Sequence, residues 1–332
     1  MNSENSLDIE LDEEYVLGVL DYCTRPSLEP YQINGSYGLG TKLHISLRKS
    51  EILVGVVSQF LERKGIEYRY DRRDSEGVPG GMIIEDNSSI KTLHNLGSGT
   101  FIQIAKRLEY LDAVIREYGG KTISGNKELF YRLYKPWDDM HPHWKNKKYT
   151  IDFFSDEFNI ESVEDTFDAP DPKYPESIST EYVTGSFDGS GMVSLSIHKQ
   201  PANNIGYGMN ASARITIRQP NIRVKPHFVK YFQSHGLDPS ISEQKDRDRL
   251  NIQFESANSV ERFIGIVGGD TTYLYNLCEL FYSQLIPAIK DQYHTTKEGF
   301  VDIVRVYEEV APERPRAKYT TEYFQKEWDL EK

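Results

Sequence analysis

Glu181-Tyr182-Val183-Thr184-Gly185-Ser186-Phe187-Asp188-Gly189-Ser190-Gly191 is the stretch on which the reading of this chain turns. It reads as a short helix ending in a glycine turn. From Met192 to Lys199 apolar and polar residues then alternate strictly, the period of a half-buried strand. The same pattern stands upstream at Glu14-Tyr15-Val16-Leu17-Gly18-Val19-Leu20-Asp21-Tyr22-Cys23-Thr24. In both places a Tyr-Val pair precedes a glycine by two positions and an aspartate follows it by three.

The similarity extends well beyond the motif. Residues Tyr37 to Arg48 align without a gap with Tyr207 to Arg218, and Phe60 to Ile66 with Tyr231 to Leu237. Ser89-Ile90 aligns with Ser259-Val260, and Gly97 to Thr100 with Gly268 to Thr271. Register is held across every element, so the chain is an internal duplication. Each copy reads as a leading helix, two strands, a helix stopped by Gly65 or Gly236 as left-handed C-cap, a polar hairpin, and a helix capped by Ser89 or Ser259. A longer helix from Thr100 or Thr271 closes each copy. Arg25 to Pro30, with Pro26 and Pro30, reads as a poor strand.

The strands divide by face. Val193, Leu195, Ile197, Ile215 and Ile217 point one way; Ser194, Ser196, His198, Arg214, Thr216 and Arg218 point the other. In the first copy Leu43, Ile45 and Leu47 oppose Lys42, His44, Ser46 and Arg48. Arg249, Asn251 and Gln253 extend the polar face of the second copy. No acid interrupts Lys42–Arg48 or Met192–Lys199, in a chain with 51 acids. Such donor-rich faces suit base edges and phosphates.

Two such motifs, and the order αββαββα repeated, resemble the LAGLIDADG homing endonucleases, in their single-chain, two-repeat form. The resemblance implies an α+β fold of two repeats in a pseudo-twofold arrangement, forming a concave β-saddle for duplex DNA. It also implies a monomer whose motif helices pack against each other at Gly18 and Gly185. In the family, the second motif acid holds the divalent metal that activates water for strand hydrolysis. Here those positions are Cys23 and Ser190, so no family catalytic acid is intact and no metal is expected, Mg2+ being required only if cleavage is retained. Asp21 and Asp188, at the less strictly used position, are weak candidates for that role and are expected to cap helix ends or bind backbone amides. Lys49 and Gln219 are further weak candidates, as remnants of a polar ring around a nuclease site.

Bulk properties are consistent with this. The formal net charge is −12, which argues against a nucleic-acid partner until its distribution is read. Residues 1–14 carry six acids and no base, and residues 151–178 carry nine acids against Lys173 alone. The remainder is slightly positive. The organisation expected is an acidic tail (1–13), a first repeat (14–135), an acidic proline-rich connector (136–179), a second repeat (180–307) and a C-terminal extension (308–332). Phe153, Phe154 and Phe158 suggest that part of the connector packs on a domain. The N-terminus has no signal-peptide pattern, no apolar stretch is long enough to span a bilayer, and two cysteines form no disulfide framework. A cytoplasmic or nucleoid-associated protein is expected, with Cys278 a buried small hydrophobe.

Other patterns read as loops. His141-Pro142-His143 beside Asp138 and Asp139 has metal-ligand residue types in a solvated connector. Gly77 to Gly81 is a turn, since no Lys-Ser or Lys-Thr follows to hold phosphate. Three functions compete: a sequence-specific DNA-binding protein that has lost its nuclease, an active metal-dependent endonuclease, and an RNA-binding intron maturase. The loss of both acids favours the first over the second.

Overall fold

Each quoted motif forms a helix that runs straight into a strand. The computed structural model describes residues 12–47, 50–71, 81–118, 126–140, 148–160, 167–200, 208–219, 221–245, 248–311 and 318–330. The chain divides into two compact units, Met1–Glu176 and Ser177–Lys332. Among the described residues no helix is long and apolar enough to cross a membrane.

In the first unit α1 (Glu13–Cys23) leads into β1 (Thr24–Ile33), and a tight turn leads back through β2 (Ser36–Ser46). Asn34 and Gly35 make that turn with φ of 51° and 79°, the left-handed pair that matches strand twist. Next come α2 (Glu51–Arg63), β3 (Arg69–Asp71), β4 (Gly81–Ile84), α3 (Asn87–Gly97) and α4 (Ala105–Tyr118). The sheet is antiparallel throughout, in the order β1-β2-β4-β3. β1 is therefore a full strand, contrary to the expectation from its prolines. It lies at the sheet edge, and Pro26 and Pro30 are four residues apart, so both nitrogens face the same side. On an edge strand that side has no neighbour awaiting a donor.

The second unit repeats the order with α7 (Thr180–Ser190), β5 (Gly191–Lys199), β6 (Met209–Gln219), α8 (Lys225–Ser234), β7 (Ser240–Gln244), β8 (Arg249–Phe254) and α9 (Ala257–Val267). Its sheet order is β5-β6-β8-β7. No glycine turn separates α7 from β5: the helix continues through Ser190 and the strand starts at Gly191. α10 (Tyr275–Leu280) passes through one wide turn, Phe281–Leu285, into α11 (Ile286–Lys290). There the Ile286 amide donates to the Phe281 carbonyl, five residues back. Pro287, which lacks a donor, follows at once, and the wide turn absorbs the lost register. α12 (Lys297–Val310) and α13 (Thr321–Glu327) complete the unit, with Phe300 against Phe324 and Trp328.

Helix ends follow local chemistry. Gly65 and Gly236 have φ of 66° and 63°, and each sits in a paired C-terminal cap. Ile66 donates to Leu61 and Gly65 to Glu62; Leu237 donates to Phe232 and Gly236 to Gln233. The N-caps of α3 and α9 lie three residues earlier than expected. Asp86 and Ser256 accept from the amides of Ser89 and Ser259.

One apolar sheet face in each unit is covered by helices. In the second unit Phe187 meets Phe263 at 5.0 Å between ring centres, and Phe254 meets Phe263 at 4.8 Å and Phe232 at 5.4 Å. The stretch after the first repeat is more structured than an extended connector. α5 (Lys127–Asp139) contains Pro136, and α6 (Ile151–Phe158) follows it. Tyr37 of β2 meets Phe130, Tyr149, Phe153, Phe154 and Phe158 edge-on, at 5.3–6.4 Å.

The motif aspartates join the two ends of each repeat. The Asp21 carboxylate accepts from the amides of Ile102, Gln103 and Ile104 at 3.0–3.1 Å, at the entrance of α4. The Gln103 side chain donates back to the Asp21 carbonyl at 3.1 Å. Asp188 accepts from the amides of Thr272, Tyr273 and Leu274 at 2.6–3.3 Å, and from the Thr272 hydroxyl at 3.1 Å. Both are buried, at 2% and 0% exposure. A buried charge persists only when hydrogen-bonded, and a helix N-terminus supplies donors and a favourable dipole.

Asp188→Ala strands the buried Leu274 amide and the part-buried amides of Thr272 and Tyr273, and should lower unfolding free energy by about 2–4 kcal/mol, summing a lost cap and unsatisfied donors. Asp188→Asn, which keeps one acceptor, should cost less. Urea denaturation followed by circular dichroism measures both; a loss below about 0.5 kcal/mol, the floor for a working cap, would show that the carboxylate is dispensable.

Candidate nucleic-acid interface

Strand register decides which polar residues share a surface. In the second unit Ser194 pairs with Arg214, Ser196 with Ser212 and His198 with Asn210. Thr216 pairs with Gln253 and Arg218 with Asn251. Ser240, Ser242 and Gln244 pair with Gln253, Asn251 and Arg249. All of these, with Met192, fall on one face, and none is acidic. Arg218, His198 and Arg249 are exposed, Ser196, Arg214, Asn251 and Gln253 are half-buried, and Ser194 and Thr216 are buried among their neighbours. Just beyond β8, Glu255 reaches Arg214 at 3.0 Å.

Every residue expected on this face from the second repeat is there. Asn210, Ser212, Ser240, Ser242 and Gln244 were missed, although Asn210 and Ser212 continue the alternation of Arg214 and Arg218. Gln219, by contrast, lies on the opposite face, 2% exposed. Its amide donates to the Ser186 hydroxyl at 2.9 Å. Ser190 in turn donates to the Ser186 carbonyl at 2.7 Å.

The first unit differs. Lys42, His44 and Ser46 share a face with Arg25, Ser27, Glu29 and Tyr31 of β1. Glu29 sits among the bases, 3.2 Å from His44 Nε2 and from Lys42 Nζ, and accepts from Ser27 Oγ at 3.1 Å. Glu85 binds Lys42 at 3.2 Å and Arg69 at 3.1 Å. The absence of acids along Lys42–Ser46 therefore does not make the face acid-free, because neighbouring strands bring their own. Tyr31 lies flat over Gly38, where an added Cβ would stand 2.4 Å from the ring. Arg48 and Lys49 lie outside the described residues, as do His141 and His143. Asp138 accepts from the Ile151 amide at 3.2 Å and Asp139 pairs with Lys135 at 3.0 Å.

No family model matches the sequence, and no curated protein matches it. Solved structures do. The meganuclease I-SmaMI bound to uncleavable DNA superposes with a TM-score of 0.68 over 90% of this chain and 98% of its own, at 13% identity. The I-LtrWI LAGLIDADG homing endonuclease bound to target DNA gives 0.67 over 91% and 98%, also at 13% identity.

The fold is that of the LAGLIDADG endonucleases.

A third structure of this kind, the LAGLIDADG meganuclease I-CpaMI bound to uncleaved DNA, gives 0.63 over 91% and 100%, at 14% identity. One I-SmaMI structure is described as bound to its uncleaved target in the presence of calcium ions. At the leading helix of each unit the residues themselves decide whether a metal fits. Gly18 and Gly185 are buried within their helices. At Gly191 an added Cβ would fall 1.9 Å from the Phe187 ring, which accounts for the glycine that ends the second motif. Cys23 and Ser190 are buried, at 5% and 4% exposure. A thiol is too soft for Mg2+ and a hydroxyl brings no charge. The carboxylates of Asp21 and Asp188 face backbone amides. The residues at the motif positions do not fit a Mg2+ ion.

The charge cluster of the first unit has a pH signature. Hydrogen bonding from His44, ahead of Lys42 and Ser27, holds the Glu29 carboxyl down at about 2 from its ordinary 4.5, against the opposing effect of burial. Glu85 is also held at about 2, chiefly by Arg69 and then by Lys42, again against burial. Both folded values are depressed. The stabilisation from ionised Glu29 and Glu85 is therefore complete above about pH 4.5 and is lost as pH falls towards 2. Carboxyl carbon NMR should show His44→Ala moving Glu29 up towards 4.5 while leaving Glu85 near 2. An unmoved Glu29 would remove His44 from the cluster.

Proposed function

We propose that this protein binds duplex DNA sequence-specifically, through the polar faces of its two sheets, and does not cleave it. The observation that carries the reading is the ladder face of the second sheet, where Arg, Asn, Gln, Ser, Thr and His occupy successive positions and no acid intervenes. The major groove admits a two-stranded β-ribbon. Its base edges are read by arginine on guanine and by asparagine or glutamine on adenine. Arg214 and Arg218 have the first chemistry; Asn210, Asn251 and Gln253 have the second. Lys42 and His44 serve from the first sheet, with Glu29 as an acceptor suited to the cytosine amino group. Hydrolysis needs charged oxygen ligands on the metal, and Cys23 and Ser190 supply none. Asp21 and Asp188 are committed to helix caps and cannot replace them without unsealing the fold.

Selection from random DNA and RNA pools, followed by incubation of the winning sequence with Mg2+ or Mn2+, tests both halves. One duplex DNA sequence should be enriched and should stay intact. Arg214→Ala with Arg218→Ala should cost roughly 1–3 kcal/mol per lost base contact. Cys23→Asp with Ser190→Asp should leave binding in place. Enrichment of RNA alone, or affinity unchanged by the arginine substitutions, would overturn the binding half. Double-strand cleavage by the unaltered protein would overturn the other.

A further inference from the structure

The helical layer of the first unit holds a cluster that the nucleic-acid reading does not use. His94 of α3 faces Glu109 and Asp112, one turn apart on α4. Their side chains are 15%, 14% and 9% exposed. One ligand atom from each lies within 4.8 Å of the other two. His94 Nε2 is 2.7 Å from Glu109 Oε2. Nδ1 is buried without a hydrogen bond, 3.9 Å from Asp112 Oδ2.

That geometry has a specific consequence. If Nε2–H is donated to Glu109, the Nδ1 of a neutral ring carries a lone pair aimed at a carboxylate. Two electron-pair donors face each other at low exposure, and only a cation between or upon them makes this favourable. The gap is too long for a hydrogen bond. Two ligands at about 2.0–2.2 Å on one tetrahedral ion stand about 3.3–3.6 Å apart, so a small closing movement of either side chain lets the pair share one. An imidazole that ligates through one nitrogen and donates through the other to a carboxylate is the usual arrangement around a protein metal.

The local charges are close to balance: Arg116 stands 2.8 Å from Asp112 and 3.3 Å from Glu109, and Lys91, Lys173 and Asp171 line the same cleft. Arg116 is 53% exposed, so it can swing into water and free Asp112. The cluster opens into a cleft of about 540 Å³ that Asp171 also lines, which gives an ion a path in.

We propose that His94, through Nδ1, and Asp112 bind one divalent transition-metal ion of the zinc type, with Glu109 orienting the imidazole through Nε2–H, pinning α3 to α4. The nitrogen ligand selects against Mg2+ and Ca2+, which take oxygen. The site is independent of DNA binding.

The test uses the full chain, stripped of metal by a chelator. Co2+ titration should give visible d–d absorption saturating at one equivalent, and Zn2+ should displace it. His94→Gln and Asp112→Asn should each weaken binding at least tenfold, with circular dichroism confirming that the variants fold. Arg116→Ala should keep or tighten binding, because it removes a competitor for the carboxylates. If either variant misfolds, ring-nitrogen NMR of His94 in the unaltered protein decides: Zn2+ should shift Nδ1 selectively. The alternative is a protonated His94 serving as the cation in a closed ion-pair network. An imidazolium signal unchanged by excess Zn2+, with no Co2+ absorption, would establish that alternative and overturn the proposal.

Discussion

A charged carboxylate without exposure must be surrounded by donors, and in both units this requirement ties the first helix to the last part of the repeat. Asp21 and Asp188 each collect successive amides from a segment more than eighty residues downstream. The arrangement fixes where α4 and α10 begin, and with them the helical cover of each sheet. It also separates two demands on one short motif. The aspartate needed to close the fold is present twice. The position two residues on, which the family uses for metal, holds Cys23 and Ser190. A helix advances about 100° per residue, so those two positions look in different directions and can change independently.

The two sheets have diverged in how they carry charge. In the second, the ladder positions are neutral or basic, and Glu255 reaches in from beyond the strand to Arg214. In the first, Lys42, His44 and Arg69 already have protein partners in Glu29 and Glu85. A base held by a carboxylate is fixed in place, and its partner adds an acceptor to the surface. The first face thus presents both hydrogen-bonding senses, whereas the second presents mainly donors and amides.

Much of this was legible in the residues, because it is local. The glycine C-caps at Gly65 and Gly236 and the alternation of Met192–Lys199 each depend on a few neighbouring positions. What escaped depends on partners distant in sequence. Glu29 enters the face of Lys42 only through the pairing of β1 with β2, and β1 itself was discounted for prolines that an edge position tolerates. The serine caps were displaced by three residues because Ser89 and Ser259 are donors to the cap, while Asp86 and Ser256 do the capping. The mixed cluster at His94 had no sequence signal, since it requires α3 and α4 to lie side by side.

The aromatic packing around Tyr37 changes what joins the two halves of the chain. Rings from α5 and α6 meet β2 edge-on, so the backbone through Phe158 belongs to the first unit. The same holds further on: the Phe167 ring meets Tyr110 of α4 at 5.5 Å, and Pro170, Asp171 and Lys173 line the cleft beside His94. Residues that read in sequence as a spacer are in this way part of the first unit's packing. A change of their length or composition would disturb a core rather than only a distance.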